Sequence, residues 1–150
     1  MPITDVTLIE ESAQKTHVLL KELAGELGRE GDERYAMRVL RGYLHTLRDR
    51  LPVPETAQFG AQLPELVRGI YYEGWRPATV PRDYHDVDTF LALVAEEARL
   101  AGETEAAYAV EAATRVFLRH VGSGELAKVA TALPPRIAQM INGTTPGAET

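Results

Sequence analysis

The sequence predicts an all-α domain made of two tandem copies of a four-helix unit, the copies sharing one core. Three observations lead there. Leu63-Pro64 recurs as Leu133-Pro134, an offset of 70 residues. At that offset Leu23 meets Leu93, Leu40 meets Val110, Leu47 meets Phe117, Leu51 meets Val121, Val67 meets Ile137 and Ile70 meets Met140. Such pairs keep apolar character rather than identity, as two diverged copies burying the same faces would. Finally, apolar residues recur at helical spacing, and no stretch is both long and β-branched enough to read as a strand.

Residues 1–14 are expected to form an N-terminal arm, or else the start of a long first helix. Ile3, Val6, Leu8 and Ile9 lie among acidic residues there without a strong period. A clear stripe of Leu19, Leu20, Leu23, Ala24 and Leu27 predicts a helix from about Lys15 toward Glu30. Gly28 and Gly31 weaken its end, and Asp32 is a candidate cap for a second helix reaching about Arg50. Val39, Leu40, Tyr43, Leu44, Leu47 and Leu51 share one face of that helix. Leu51-Pro52-Val53-Pro54 stops it, because proline cannot continue a helix interior. Pro54 suits the first turn of a short third helix over 55–62, and Pro64 restarts the chain into a fourth that ends at Gly74.

The first unit thus spans 15–75, and a proline-containing linker follows over 76–85. The second unit, 86–143, repeats the order. Phe90, Leu91, Val94 and Ala98 mark a helix over 87–101, and Val110, Ala113 and Phe117 mark one over 104–121. Asp86 or Asp88 is expected to cap the former, and Ser123 a short helix over 125–131. Pro134 opens the last, ending near Asn142-Gly143. The polar residues 144–150 read as a flexible tail. A shared core follows because each short fourth helix carries more apolar surface than one hairpin could cover.

Bulk properties narrow the function classes. The 150 residues match one domain, and 45% hydrophobic with 25% charged residues is a soluble globular composition. The absence of cysteine removes disulfides, thiolate zinc sites and cysteine nucleophiles. A net charge of −6 argues against nucleic acid and against anionic membranes as partners. No secretory leader and no membrane-length apolar run is visible, so a cytoplasmic location is expected. There is no Gly-rich phosphate loop, no nucleophile elbow and no zinc motif, and His17, His45, His85 and His120 form no ligand pair. No cofactor and no metal site is expected, and no catalytic residue is assigned.

Two groups of residues carry the functional expectation. Arg34, Arg38, Arg41, His45 and Arg48 recur at steps of 4, 3, 4 and 3 and fall within about 80° on a helical wheel, opposite Leu40, Tyr43 and Leu47. Such a row on an exposed helix could bind carboxylates or phosphates, or remain a solvated face paired with Glu26 or Glu30. The positions 70 residues on are Thr104, Tyr108, Glu111, Arg115 and Leu118, so the fold by itself does not require the row. The second group, Tyr72, Trp75 and Arg76, either offers an aromatic partner surface or seals the junction between the copies.

Three segments resemble a known family: Gln14-Lys15-Thr16-His17, the run Leu44-His45-Thr46-Leu47-Arg48-Asp49-Arg50-Leu51-Pro52-Val53, and Gln62-Leu63-Pro64-Glu65-Leu66-Val67-Arg68-Gly69-Ile70-Tyr71-Tyr72-Glu73-Gly74-Trp75. Together they resemble the bacterial family catalogued as domain of unknown function 2267, from about Gln14 to Asn142 and most densely in the first copy. The second copy departs where Pro135-Arg136 follows the later Leu-Pro. The resemblance implies an all-helical bacterial domain and carries over no activity and no functional residue. The function expected is a non-enzymatic module with a protein partner. The alternative is a small-ligand or anion-binding protein, or an enzyme, with its site between the copies.

Overall fold

The computed structural model describes residues 5–142, which form eight α-helices and no strand. They are α1 (Asp5–Glu26), α2 (Glu33–Asp49), α3 (Val53–Gly60), α4 (Glu65–Tyr72), α5 (Val87–Ala98), α6 (Glu103–Val121), α7 (Ser123–Thr131) and α8 (Pro135–Ile141). A single 3₁₀ turn, Pro77–Thr79, lies between α4 and α5. None of these helices is long and apolar enough to cross a membrane. The expected tail, 144–150, lies outside the described residues, as do Met1–Thr4 and Gly143.

The centre of the molecule is α2, which packs against α1, α4, α5 and α6. Its start is fixed locally, because the Asp32 carboxylate accepts a bond from the Tyr35 N–H at 3.1 Å. Its end is fixed by Pro52 and Pro54, which cannot continue the helix. Against α5 the approach is close. A Cβ on Gly42 would lie 2.7 Å from Ala98 Cβ and 3.1 Å from the Val94 oxygen. Only a glycine lets the two backbones meet at that distance.

α6 is the second long member, touching α1, α2, α5, α7 and α8. Along α1 it is laced by surface ion pairs of Arg115 with Glu26 at 2.9 Å and Arg119 with Glu22 at 3.4 Å, and by a contact of His120 Nε2 with Glu22 at 3.1 Å. One continuous core takes residues from all eight helices, including Leu23, Leu47, Phe59, Val67, Phe90, Phe117, Leu126 and Ile137. At its heart Tyr43 stacks on Phe117 with 5.6 Å between ring centres, and Phe117 meets Phe59 at 6.4 Å. The buried Tyr43 hydroxyl is paired with Thr114 Oγ1 at 3.1 Å. Burial pushes the Tyr43 hydroxyl up to about 12.

Several expected element ends move. α1 begins at Asp5, so residues 5–14 of the expected arm belong to a long first helix. Its first turns meet little of the body, and Val6, Leu8 and Ile9 stay exposed, which is why no clear apolar period marks them. α3 starts two residues earlier than expected, with Pro54 in its first turn. α5 stops at Ala98, and its C-cap is Arg99 in the left-handed region at φ 57°. The expected caps divide: Asp86 accepts from Thr89 N–H at 2.8 Å, whereas Ser123 lies inside α7 and caps nothing.

The Gly42 contact gives a direct test. Alanine at a helix interior ordinarily gains up to about 1 kcal/mol over glycine. Here the added methyl meets backbone as well as Ala98, and overpacking of this kind costs about 1–3 kcal/mol. Gly42→Ala should therefore lower stability in a urea titration, despite its better helix propensity.

Candidate functional site: the arginine face of the second helix

The face of α2 opposite the core residues does carry the arginines, but it is not a free surface. Its inner end runs under the C-terminus of α4. The last carbonyls of any helix lack intrahelical partners, and cations are favoured beside them. Here α2 supplies both needs. The Arg48 guanidinium, only 3% exposed, donates through Nη1 to the Tyr71 and Glu73 carbonyls, each at 2.7 Å. Its Nε donates to the Asp49 carboxylate at 2.9 Å. One turn earlier, His45 Nε2 lies 2.7 Å from the Ile70 carbonyl, and its Nδ1 lies 3.2 Å from Glu97 on α5. A further turn back, Arg41 clamps the Glu73 carboxylate with bonds of 2.9 and 3.3 Å. Gly74, at φ 71°, then turns the chain away in the conformation glycine adopts most readily.

The expectation that these side chains reach solvent is therefore corrected for His45 and Arg48, both buried, and for Arg41, half-buried. Their partners come from α4 and α5, which a helical wheel does not display. The outer end differs. Arg34 is exposed. Arg38 spends its Nε on the Ala98 carbonyl at 3.0 Å, and its guanidinium sits 5.1 Å from the Tyr35 ring centre. Neither arginine pairs with Glu26, which faces Arg115 and Arg119 on α6 instead.

The aromatic group is half-buried. Tyr72 and Trp75 rings lie 5.3 Å apart, and Tyr72 meets Tyr71 at 5.0 Å. Tyr72 does not point away from the body: its hydroxyl would sit 2.5 Å from a Cβ on Gly60. The Trp75 indole N–H is enclosed without a partner among the described residues. Arg76 is exposed at the start of the 3₁₀ turn.

Two side chains that matter carried no sequence signal. Glu73 and Glu97 hold Arg41 and His45 from 32 and 52 residues away. Glu97 in particular reads along the chain as ordinary solvated helix charge. Beside His45 lies a polar cavity of about 50 Å³, lined by Thr46, Asp49, Arg82, Leu93, Glu96 and Glu97. It has room for water but falls far short of the roughly 300–1,000 Å³ of a small-molecule site. Among the described residues no group of three or more His, Asp or Glu is placed to hold a metal ion. The histidines disperse as well: His17 faces Glu33 and His120 faces Glu22.

Removing one partner of a buried, hydrogen-bonded network leaves the others unsatisfied, at about 1–3 kcal/mol. Arg48→Gln should cost that much in chemical denaturation. Arg41→Gln, which loses a half-exposed ion pair, should cost about 1 kcal/mol or less. Equal effects would contradict the division of the face into an inner and an outer end.

Acid should act on the same contacts. The bond from Arg41 holds the Glu73 carboxyl below its ordinary 4.5. Arg115 does the same for Glu26, and the Tyr35 hydroxyl for Glu105. A depressed carboxyl contributes stability that is fully present above its unfolded value and is lost as pH falls through its folded value. The melting temperature should therefore drop below about pH 4.5, and Glu73→Gln should make that acid limb shallower.

A family model described as uncharacterized conserved protein (DUF2267) matches residues 16–140 of the chain. No curated protein matches it.

Proposed function

We propose that this chain, which belongs to the DUF2267 family, is a non-enzymatic protein-interaction module that meets its partner through the outer end of α2. The observation that carries this reading is the split of the arginine row. Arg41, His45 and Arg48 are engaged by α4 and α5, whereas Arg34 is exposed and both terminal nitrogens of Arg38 make no bond among the described residues. The alternative, a ligand or anion site between two units, has in its favour the polar cavity at His45 and Glu97. That cavity, at about 50 Å³, holds no more than a few waters, and the larger depression of about 680 Å³ between Leu27, Tyr35, Ala101 and Tyr108 lies open to solvent. Tyr72 and Trp75 serve this proposal as a seal around the end of α4, with Arg76 outside it.

The same reading treats the chain as two duplicated units, 15–75 and 86–143, joined by 76–85. Helix packing supports it. Shifting positions by 70 residues carries α1 toward α5, α2 to α6, α3 to α7 and α4 to α8. Under that exchange the α2–α5 contact maps onto α6–α1, α2–α4 onto α6–α8, and α1–α4 onto α5–α8. The proposed localisation is the cytoplasm, and the proposed partner is a protein rather than nucleic acid or membrane.

A pull-down from the native host with parent, Arg34→Gln/Arg38→Gln and a control Arg136→Gln tests the module. The double variant should lose a partner that the other two keep, with its melt within a few degrees of the parent. A partner retained by all three would remove the outer end of α2 from the reading.

A further inference from the structure

The buried ring of His45 faces an acceptor at each of its two nitrogens. Nε2 lies 2.7 Å from the Ile70 carbonyl in the last turn of α4. A carbonyl oxygen only accepts, so Nε2 carries a hydrogen and donates it. Nδ1 lies 3.2 Å from Oε2 of Glu97 on α5, and an ionised carboxylate also only accepts. A neutral imidazole has a single N–H, and here that hydrogen is the one on Ile70. The bare Nδ1 would then set its lone pair against the carboxylate. The contact therefore needs one more proton than a neutral ring and a carboxylate hold between them.

The charges facing the ring point the same way. On α2 itself Arg41, Arg48 and Asp49 stand within one turn of His45. The end of α4 brings Glu73, 3.9 Å from Nε2. α5 brings Glu96 and Glu97, and the connection before it brings Arg82, all three lining the small cavity beside the ring. Two of the acids have guanidinium partners, Glu73 in Arg41 and Asp49 in Arg48. Glu96 and Glu97 are left with Arg82 alone, and an imidazolium makes the cations equal to the acids. His45 is only 8% exposed, and a charge so buried persists only where it is paired and hydrogen-bonded. Both conditions hold here. The Glu97 side chain, half exposed, gives the pair its contact with solvent.

We propose that His45 and Glu97 form a proton-dependent latch, in which the imidazolium ties α5 to α2 and to the end of α4, and loss of one proton frees the Glu97 side chain. This stands apart from the interaction-module reading and does not depend on it. In the closed latch Nε2 donates to Ile70 and Nδ1 donates to Glu97. In the open latch the Ile70 bond persists, because Nε2 keeps its hydrogen, and Glu97 turns to water. The sign follows from the proton taken up on closing. The stabilisation is present while the ring is charged and is lost as pH rises through its titration. Carboxylate pairs such as Arg41 with Glu73 fail in the opposite direction, toward acid, so the two effects separate.

The test compares the full-length parent with Glu97→Gln between about pH 6 and pH 9, on either side of the ordinary imidazole range. A glutamine amide donates to a bare Nδ1, so it satisfies a neutral ring without the added proton. The other histidines are common to both chains and cancel in the difference. Raising the pH should lower the melting temperature of the parent by a few degrees relative to the variant. Chains labelled with ¹⁵N-histidine supply a second readout, with the His45 signals assigned by their loss in His45→Gln. In the parent Nδ1 should lose its proton on raising the pH while Nε2 keeps its own, and in Glu97→Gln the Nδ1 proton should leave at lower pH. A melting difference that does not change with pH, or an Nδ1 proton lost at the same pH in both chains, overturns the latch. So does a parent whose neutral ring keeps its hydrogen on Nδ1, a reading that uses the parent alone.

Discussion

A helical stretch enclosed on every side has no solvent to give its polar residues, and residues 42–48 of α2 form such a stretch. Its neighbours α1, α4, α5 and α6 surround it, yet His45, Thr46 and Arg48 are all buried along it. Arg48 resolves the conflict by ending in backbone carbonyls, which every helix terminus leaves unsatisfied. Satisfying the arginine and satisfying α4 are then one interaction. It also sets the path of the chain beyond. The Asp49 carbonyl accepts from Arg82 N–H at 2.8 Å, and Arg50 Nε donates to the Tyr84 carbonyl at 2.8 Å. The end of α2 thereby holds the connection to α5 as firmly as it holds α4.

The short helices depend on this arrangement. α3 and α4 have 8 residues each and α8 has 7, lengths at which an isolated helix is unstable in water. Phe59, Val67, Tyr71, Ile137 and Ile141 are their payments into the common core. α4 additionally receives Arg41, His45 and Arg48 at its end.

What could be read from the sequence followed the range of the interactions. Leu47 and Phe117 announce themselves through helical period and are fully buried. Asp32 and Asp86 cap helices through contacts three residues away. The arginine row is legible in the sequence as a row at helical spacing. Its environment was not legible. Tyr71 and Glu73 meet Arg48 from 23 and 25 residues away, and Glu97 meets His45 from 52. A wheel drawn for one helix has no place for the helix that covers its far face. Ser123 failed for a local reason: α7 begins directly after Gly122, leaving no turn for the serine to occupy.

The Tyr35–Glu105 bond joins two positions separated by 70 residues. Under the proposed duplication these are one ancestral position meeting its own counterpart, as happens on the axis of a symmetric dimer. In a dimer of identical chains that position would face a copy of itself, so two tyrosines or two mutually repelling carboxylates would be the choices available. Joining the halves in one polypeptide lifts that restriction and allows a donor on one side to meet an acceptor on the other. A self-associating fragment of either half would have to forgo this bond, which ties the present sequence to its fused state.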